Sequence, residues 1–361
     1  MKTRTLCLVI PSLQAGGMER VMSELAGYFC KQEDLEVHLV LYGLDREIFY
    51  PIPKNLIVHR PDFAFNNRKR FWNTLKTLGF LRSKIRALQP DSILSFGEYW
   101  NNFVLLALYG LPYPVYVSDR CQPDKSLGRL HDRLRNWLYP KAAGVIAQTE
   151  QAKAIYTKMY HHPNIAVIGN PIRTIPTRRD LQREHIVLSV GRLIKSKHHD
   201  ELIRLFVKVR RSGWRLVIVG DDALKQQNKI KLEALVDQLD ASDYVELTGR
   251  RSDVESFYLR SSIFAFTSSS EGFPNVIGEA MASKLPVVAF DCVAGPSDML
   301  EDGKNGFLVP LFNYKAFSDR LKELMTNEML RSKMGNYGIE SVRRFSVQTI
   351  GDKYIEFIKK R

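Results

Sequence analysis

The sequence predicts an α/β protein built as two doubly wound, parallel-sheet (Rossmann-like) domains. Three observations carry this expectation. The chain has 361 residues, and at roughly 150 residues per domain that makes about two cores. Short β-branched apolar runs alternate with helix-period segments along the whole length, as expected for strands covered on both faces by helices. That rhythm is interrupted once by a polar stretch and then begins again.

The elements follow in order. Leu6–Pro11, Val37–Tyr42, Asp91–Phe96, Tyr113–Ser118, Gly144–Gln148 and Ile165–Ile168 read as buried strands. Between them, Met18–Lys31, Leu75–Leu88 and Leu130–Leu138 have apolar residues at helical spacing. The second series is His185–Val190, Arg215–Gly220, Val245–Thr248, Ile263–Thr267 and Pro286–Phe290. The stretch from Asn170 to His185, NPIRTIPTRRDLQREH, has two prolines and neither period. We read a first domain over residues 1–169, a linker over 170–184 and a second domain over 185–346. A final helix, about Val347–Lys360, follows the last strand and is free to return to the first domain.

Composition narrows the class further. With 45% hydrophobic and 25% charged residues, the chain is neither disordered nor collagen-like. Cys7, Cys30, Cys121 and Cys292 are scattered without a C-x-x-C, which predicts reduced thiols in a cytosolic protein. At the N-terminus only Leu6–Ile10 is a continuous apolar run, too short for a secretory leader. The longest apolar stretch, Phe103–Leu111, falls far below the ~20 residues that span a bilayer.

The formal charge is +14, which speaks of partners more than of fold. Residues 1–175 carry 23 basic and 14 acidic groups, against 30 and 25 in the remainder. Within the first half, Asn66–Pro90 holds Arg68, Lys69, Arg70, Lys76, Arg82, Lys84 and Arg86 and no acid. Phe71, Leu75, Leu78, Ile85 and Leu88 read as its apolar stripe, with Trp72 and Phe80 near the basic flank. A basic amphipathic helix bearing Trp and Phe suits an anionic membrane surface. Nucleic acid is disfavoured, because no zinc spacing, RNP-like motif or basic-aromatic repeat accompanies the charge.

Three segments carry chemistry. The strongest is TSSSEGFPNVIGEAMASKLP, Thr267–Pro286. A strand ends at Thr267 and a helix begins near Asn275, so Glu271 lies in the loop and Glu279 one turn inside the helix. Amides of Gly272, Phe273 and Asn275 at a helix N-terminus can cradle phosphate or sugar oxygens. Next, Gly191-Arg192 and Lys197 follow a strand at the carboxyl edge of the sheet, where such sheets bind ligands. The planar Arg and the point-charge Lys together suit a diphosphate. Third, Gln14-Ala15-Gly16-Gly17-Met18-Glu19-Arg20 turns from the first strand into a helix, and two glycines there let backbone approach a ligand. Neither a dinucleotide fingerprint nor a P-loop is present.

In this order, the three segments resemble glycosyltransferase family 4, the retaining nucleotide-sugar transferases of GT-B fold. The resemblance covers nearly the whole chain, through PSLQAGGMERVMSELA, SVGRLIKSKHHDELIRLF, LTGR and EGFPNVIGEAMASKLPVVAFDCVAGPSDMLEDGKNGFLVP. It implies two domains facing across a cleft, the first for acceptor and the second for donor. Glu271 would then sit at the transferred sugar and Glu279 at the ribose, with Gly272, Phe273, Asn275 and Val276 around them. Arg192 and Lys197 would neutralise the diphosphate, Gly16 and Gly17 would approach the phosphates and sugar, and Gly249 and Arg250 would face the base. The resemblance implies no bound cofactor and no metal, and a nucleotide-sugar co-substrate, a UDP-sugar ahead of the others. As acceptor it implies a glycan or a polyprenyl-diphosphate-linked glycan of bacterial surface polysaccharide synthesis, at the inner face of the cytoplasmic membrane.

Two positions depart from the family. Many members carry His after the strand matching Tyr113–Ser118, whereas here Ser118-Asp119-Arg120-Cys121-Gln122-Pro123 places Arg120 there. This looks like the S-x-R-x-x-P version of bacterial polysaccharide enzymes, with Arg120 at a donor or acceptor phosphate, or else merely paired to Asp119. Lys284 stands where relatives end a helix with Gly. A sugar-nucleotide epimerase or a phosphorylase on the same fold is the alternative enzyme, the latter requiring a pyridoxal-bearing lysine.

Overall fold

The computed structural model describes residues 3–14, 16–43, 47–175, 182–223 and 226–359. Ala15 of the glycine turn, residues 176–181 of the linker stretch and Lys360 lie outside that set. The chain divides into two compact units, Met1–Pro171 with Val347–Arg361, and Ile172–Ser346.

In the first unit, β1 (Arg4–Ile10), α1 (Gly17–Phe29), β2 (Leu35–Leu41), β3 (Ile57–His59), α2 (Arg70–Leu88) and β4 (Ser92–Phe96) come first. They are followed by α3 (Glu98–Leu108), β5 (Val115–Ser118), α4 (Arg129–Leu138), β6 (Gly144–Ala147), α5 (Glu150–Tyr160) and β7 (Ile165–Val167). The strands form one sheet in the order β3-β2-β1-β4-β5-β6-β7, parallel at every pairing. Alternate strand residues Cys7, Val9, Val40, Ile93, Val115, Val117 and Val145 pack with Leu81, Ile85, Val104, Leu108 and Leu138 of the helices into one core. That is the period of two that places one strand face against covering helices.

The second unit runs β8 (Ile186–Val190), α6 (His199–Val209), β9 (Arg215–Val219), α7 (Asn228–Gln238), β10 (Val245–Gly249), α8 (Val254–Arg260) and β11 (Ile263–Phe266). Then come α9 (Asn275–Ala282), β12 (Val287–Asp291), α10 (Pro296–Met299), β13 (Gly306–Pro310), α11 (Tyr314–Thr326) and α12 (Glu328–Val342). Its sheet is β10-β9-β8-β11-β12-β13, again parallel throughout. Both sheets are therefore doubly wound, and in each the strand order reverses beside the first strand, at β1/β4 and at β8/β11. Such reversal points are where open α/β sheets hold ligands.

α13 (Val347–Lys359) belongs to the first unit. Its Gly351 lies so close to the Tyr28 ring that a Cβ there would fall 2.1 Å from it, and Tyr354 packs edge-on to Phe29. Ile172 and Ile175, from the stretch read as a linker, are buried in the second unit's core. β3 and β13 are strands that the apolar runs of the sequence did not mark.

α2 corrects the sequence reading of its faces. The buried line is Asn73, Thr77, Leu81 and Ile85, whereas Phe71 and Leu75 of the expected stripe are 69% and 44% exposed and Trp72 is 65% exposed. The polar half of that line is tolerated because its hydrogen bonds are made internally. Asn73 Nδ2 donates to the carbonyls of Asn66 and Lys69, and Thr77 Oγ1 to that of Asn73. Among the described residues, no helix is long and apolar enough to cross a membrane.

Candidate active site

In the second unit, the structure brings Lys197 and Glu271 together at the reversal between β8 and β11, and Arg192 lies on the same loop as Lys197. After β8 the chain turns at Gly191 and Arg192, and a 3₁₀ turn, Lys195–Lys197, leads into α6. After β11 the loop Thr267–Pro274 leads into α9. Side chains and backbone stitch the two loops together. Thr267 Oγ1 donates to the Lys197 carbonyl at 2.7 Å, and Ser269 N–H donates to the Ser196 carbonyl at 2.8 Å. His198 Nε2 and Ser269 Oγ lie 2.9 Å apart. The result is an ion pair between Lys197 Nζ and Glu271 Oε1, both largely buried. Lys197 Nζ also sits 5.4 Å from the Phe266 ring centre. Arg192 is exposed, with no side-chain partner among the described residues.

Glycines let these edges close up. Gly191, Gly220 and Gly249 follow or end β8, β9 and β10. A Cβ on Gly220 (φ 155°) would lie 1.8 Å from the Gly191 carbonyl oxygen, so no side chain fits there. Gly249 has φ 70°, in the left-handed region that glycine tolerates, and its carbonyl accepts from Gly220 N–H. Arg250 follows it at the same edge. The adjacent acids Asp221-Asp222 serve as a cap: Asp222 Oδ1 accepts from the N–H of Asn228 at 2.8 Å and of Lys229 at 3.2 Å, at the start of α7.

The loop before α9 is buried at Gly272 and Phe273, while Asn275 and Val276 are partly exposed. One expected cradle amide is already engaged, because Asn275 N–H donates to the Phe273 carbonyl. The Gly272 and Phe273 amides have no such partner among the described residues. Pro274 is fixed from behind by Gly295, where a Cβ would come within 2.4 Å of its ring. Glu279 is 7% exposed. Tyr258 O–H donates to its Oε2 at 3.0 Å, and Arg173 Nε lies 3.5 Å from its Oε1 while binding Glu255 at 2.9 Å.

Tyr258, Arg173, Ser269 and Cys292 are residues that sequence reasoning did not single out. The first two act on Glu279 from 21 and 106 positions away, and no local motif announces such a distance. Cys292 is buried, and burial pushes its thiol up to about 12, with the Glu271 carboxylate adding to the shift. His199, buried next to the site, is driven down to about 3, first by burial and then by its neighbours Lys197 and His198. It is neutral near pH 7.

Gly16, Gly17 and Arg120 lie in the first unit. Gly16 precedes α1, and a Cβ there would meet the Glu19 carboxylate at 2.2 Å. The Tyr50 hydroxyl donates to the Gly16 carbonyl and accepts from its N–H. Gly17 is exposed at the first position of α1. Arg120 does not pair with Asp119. It binds Asn170 and the Tyr354 hydroxyl, and its guanidinium lies 3.5 Å over the Phe96 ring. Asp119 instead meets Arg135 at 3.0 Å, with Asn101 and Tyr139 completing a fully buried network. Burial raises the Asp119 carboxyl.

Comparison with known proteins follows the same division. The family "Glycosyl transferases group 1" matches residues 174–341, and "Glycosyltransferase Family 4" matches residues 15–175. An amylovoran biosynthesis glycosyltransferase, AmsD of Erwinia amylovora, is 25% identical over 98% of this chain and 99% of its own. An N-acetylgalactosamine-N,N'-diacetylbacillosaminyl-diphospho-undecaprenol 4-alpha-N-acetylgalactosaminyltransferase of Campylobacter jejuni is 27% identical over 98% and 99%. Among solved structures, HepE of Anabaena in complex with UDP superposes with a TM-score of 0.80 at 18% identity, over 99% of this chain and 100% of that one. Glycosyltransferases of GT-B fold thus share the architecture predicted from the strand-helix rhythm.

Proposed function

Because this chain belongs to glycosyltransferase family 4, we propose that it moves a sugar from a UDP-sugar to a glycan or lipid-linked acceptor with retention of configuration and without a metal. We place the reaction in bacterial surface polysaccharide synthesis, at the inner face of the cytoplasmic membrane. The observation that carries this reading is the Lys197–Glu271 pair at the β8/β11 reversal. UDP in the HepE complex and the undecaprenol diphosphate in the Campylobacter enzyme's name support the donor and acceptor classes.

The chemistry follows from the leaving group. Breaking the anomeric C–O bond puts negative charge on the β-phosphate and positive charge on the sugar ring. Arg192, Lys197 and the amides of Gly272 and Phe273 stabilise the first, as preorganised charge at the point where charge develops. An ammonium has three donors, so Lys197 can hold Glu271 and reach a phosphate oxygen together. Glu271 positions the sugar and stabilises the ring cation, with the departing phosphate taking the acceptor's proton. Glu279, aligned by Tyr258 and Arg173, receives the ribose hydroxyls, and Gly249 and Arg250 border the base. Asn275 and Val276 shape the loop. Gly16, Gly17 and Arg120 are assigned to phosphate and sugar through the family resemblance. The exposed Phe71 and Trp72 beside Arg68, Lys69 and Arg70 favour contact with an anionic membrane surface through residues 66–90.

The test is a panel of UDP-, GDP- and ADP-sugars scored by thermal stabilisation, then transfer to a polyprenyl-diphosphate-linked glycan in EDTA. We expect a UDP-sugar to stabilise the protein and the product to keep the donor's anomeric configuration by NMR. Glu271→Gln should cut turnover far more than donor affinity. An inverted product, or donor conversion that needs no acceptor, refutes the reading.

A further inference from the structure

α2, α3 and α4 cover the same face of the first sheet and share its core. Between them runs a groove of about 710 Å³, within the size range of small-molecule sites. α3 contributes Tyr99, Phe103 and Leu106 along one helical face, with Trp100 beside them. Tyr99, Trp100 and Leu106 are each more than 40% exposed, a dense apolar surface for a single short helix.

The polar residues of the lining offer a ligand little. Thr74 Oγ1 donates to the Arg70 carbonyl and Thr77 Oγ1 to that of Asn73, both at 2.8 Å. Asn102 Nδ2 donates to the His131 carbonyl. The polar atoms without a partner among the described residues, such as Tyr42 Oη and Asn102 Oδ1, are themselves covered from solvent. A saccharide needs several convergent donors and acceptors, whereas Thr74, Thr77 and Asn102 have committed their donors to backbone carbonyls. Charge, by contrast, is concentrated on one rim. Arg70 lines the groove, Arg68 and Lys69 are exposed just before it, and no acidic residue occurs from position 63 to 90. An apolar trough with an acid-free cationic rim complements an amphiphile whose head is a compact anion.

We propose that this groove holds the hydrocarbon chain of a polyprenyl diphosphate, with the diphosphate at Arg70 and its neighbours Arg68 and Lys69. The proposal rests on the lipid-linked acceptor reading above and gives the lipid portion its site.

The experiment is calorimetric titration of the full chain with geranylgeranyl diphosphate, inorganic diphosphate and N-acetylglucosamine. Geranylgeranyl diphosphate should bind at least ~10-fold more tightly than inorganic diphosphate, since burial of the chain supplies the difference. Leu106→Asp and Thr74→Glu, at surface positions of two different helices, should each weaken it at least ~10-fold while melting like the wild type. If one variant misfolds, the other carries the test. Equal affinity for the two diphosphates, unchanged binding by a folded variant, or displacement by the saccharide overturns the groove assignment. Tight prenyl diphosphate binding without any sugar transfer would instead count against the transferase reading and leave the groove standing.

Discussion

The two units repeat one strand order, yet they place charge differently. In the second unit two cations near the sheet edge are paired with acids: Lys197 with Glu271, and Arg173 with Glu255 and Glu279. Arg192 is the exposed member of that group. In the first unit the charge at the start of α2 and just before it stays in solvent, with Arg68, Lys69, Arg70 and Lys76 all exposed and Phe71, Trp72 and Leu75 exposed among them. Its buried pair, Asp119–Arg135, lies inside the core and faces no open edge. Matched charge in a packed loop defines the position of a reacting atom, whereas unmatched charge on a helix surface defines an affinity that adds up and is screened by salt. One unit is therefore read for chemistry and the other for attachment.

The largest effect should come from separating these two uses. Replacing Arg68, Lys69, Arg70 and Lys76 with Ser should weaken binding to phosphatidylserine-containing vesicles by roughly 1 kcal/mol per charge. Together that approaches a thousand-fold, and the loss should shrink as salt rises. Co-sedimentation at two ionic strengths measures it. Equal sedimentation of both proteins would remove the membrane from this picture and return α2 to being a solvated helix.

Arg192→Ala is the counterpart in the second unit. Loss of one preorganised charge donor should lower turnover at least ~100-fold and leave vesicle binding as it was. Steady-state transfer kinetics beside the same sedimentation assay check both halves. An unchanged rate would mean that Lys197 and the loop amides stabilise the diphosphate without it.

This asymmetry also explains what could be read from the sequence. The strands were visible because buried parallel strands are continuous apolar runs. The candidate site of the second unit could be proposed from sequence because Glu271, Gly272 and Glu279 fall in one short segment at a strand-to-helix turn. The face of α2 was misread because burial of Asn73 and Thr77 depends on carbonyls of their own helix and of the turn before it, which a hydrophobicity pattern does not register. β3 was passed over because three residues at a sheet edge carry too little pattern. The groove of the first unit was hidden for another reason. Its walls come from three helices, the chain just after β2 and the segment at Phe65, spread between Tyr42 and Leu134, and only tertiary packing brings them together. Arg120 shows the same limit in one residue: its neighbour Asp119 was the obvious partner by sequence, but Asn170 and Tyr354 hold it instead.

The smallest effect concerns Lys284, which closes the segment that carries Glu271 and Glu279. Its φ is 57°, and the bonds from Lys284 N–H to Met281 O and from Leu285 N–H to Ala280 O make a left-handed helix end. Gly335 packs onto this turn, since a Cβ there would lie 2.2 Å from the Lys284 carbonyl oxygen. The backbone shape is thus held by contacts that do not involve the lysine side chain, which is exposed. An L-residue in this conformation costs about 1 kcal/mol relative to glycine. Lys284→Gly should therefore stabilise the protein by up to ~1 kcal/mol, less what the freer unfolded chain takes back. In urea this appears as a higher midpoint at constant slope. Transfer kinetics should not move, because the turn is shaped by Gly335 and the α9 carbonyls whichever residue occupies it. A change in turnover would show that the end of α9 reaches the reacting groups, and that the second unit's site extends further along this segment than its two carboxylates.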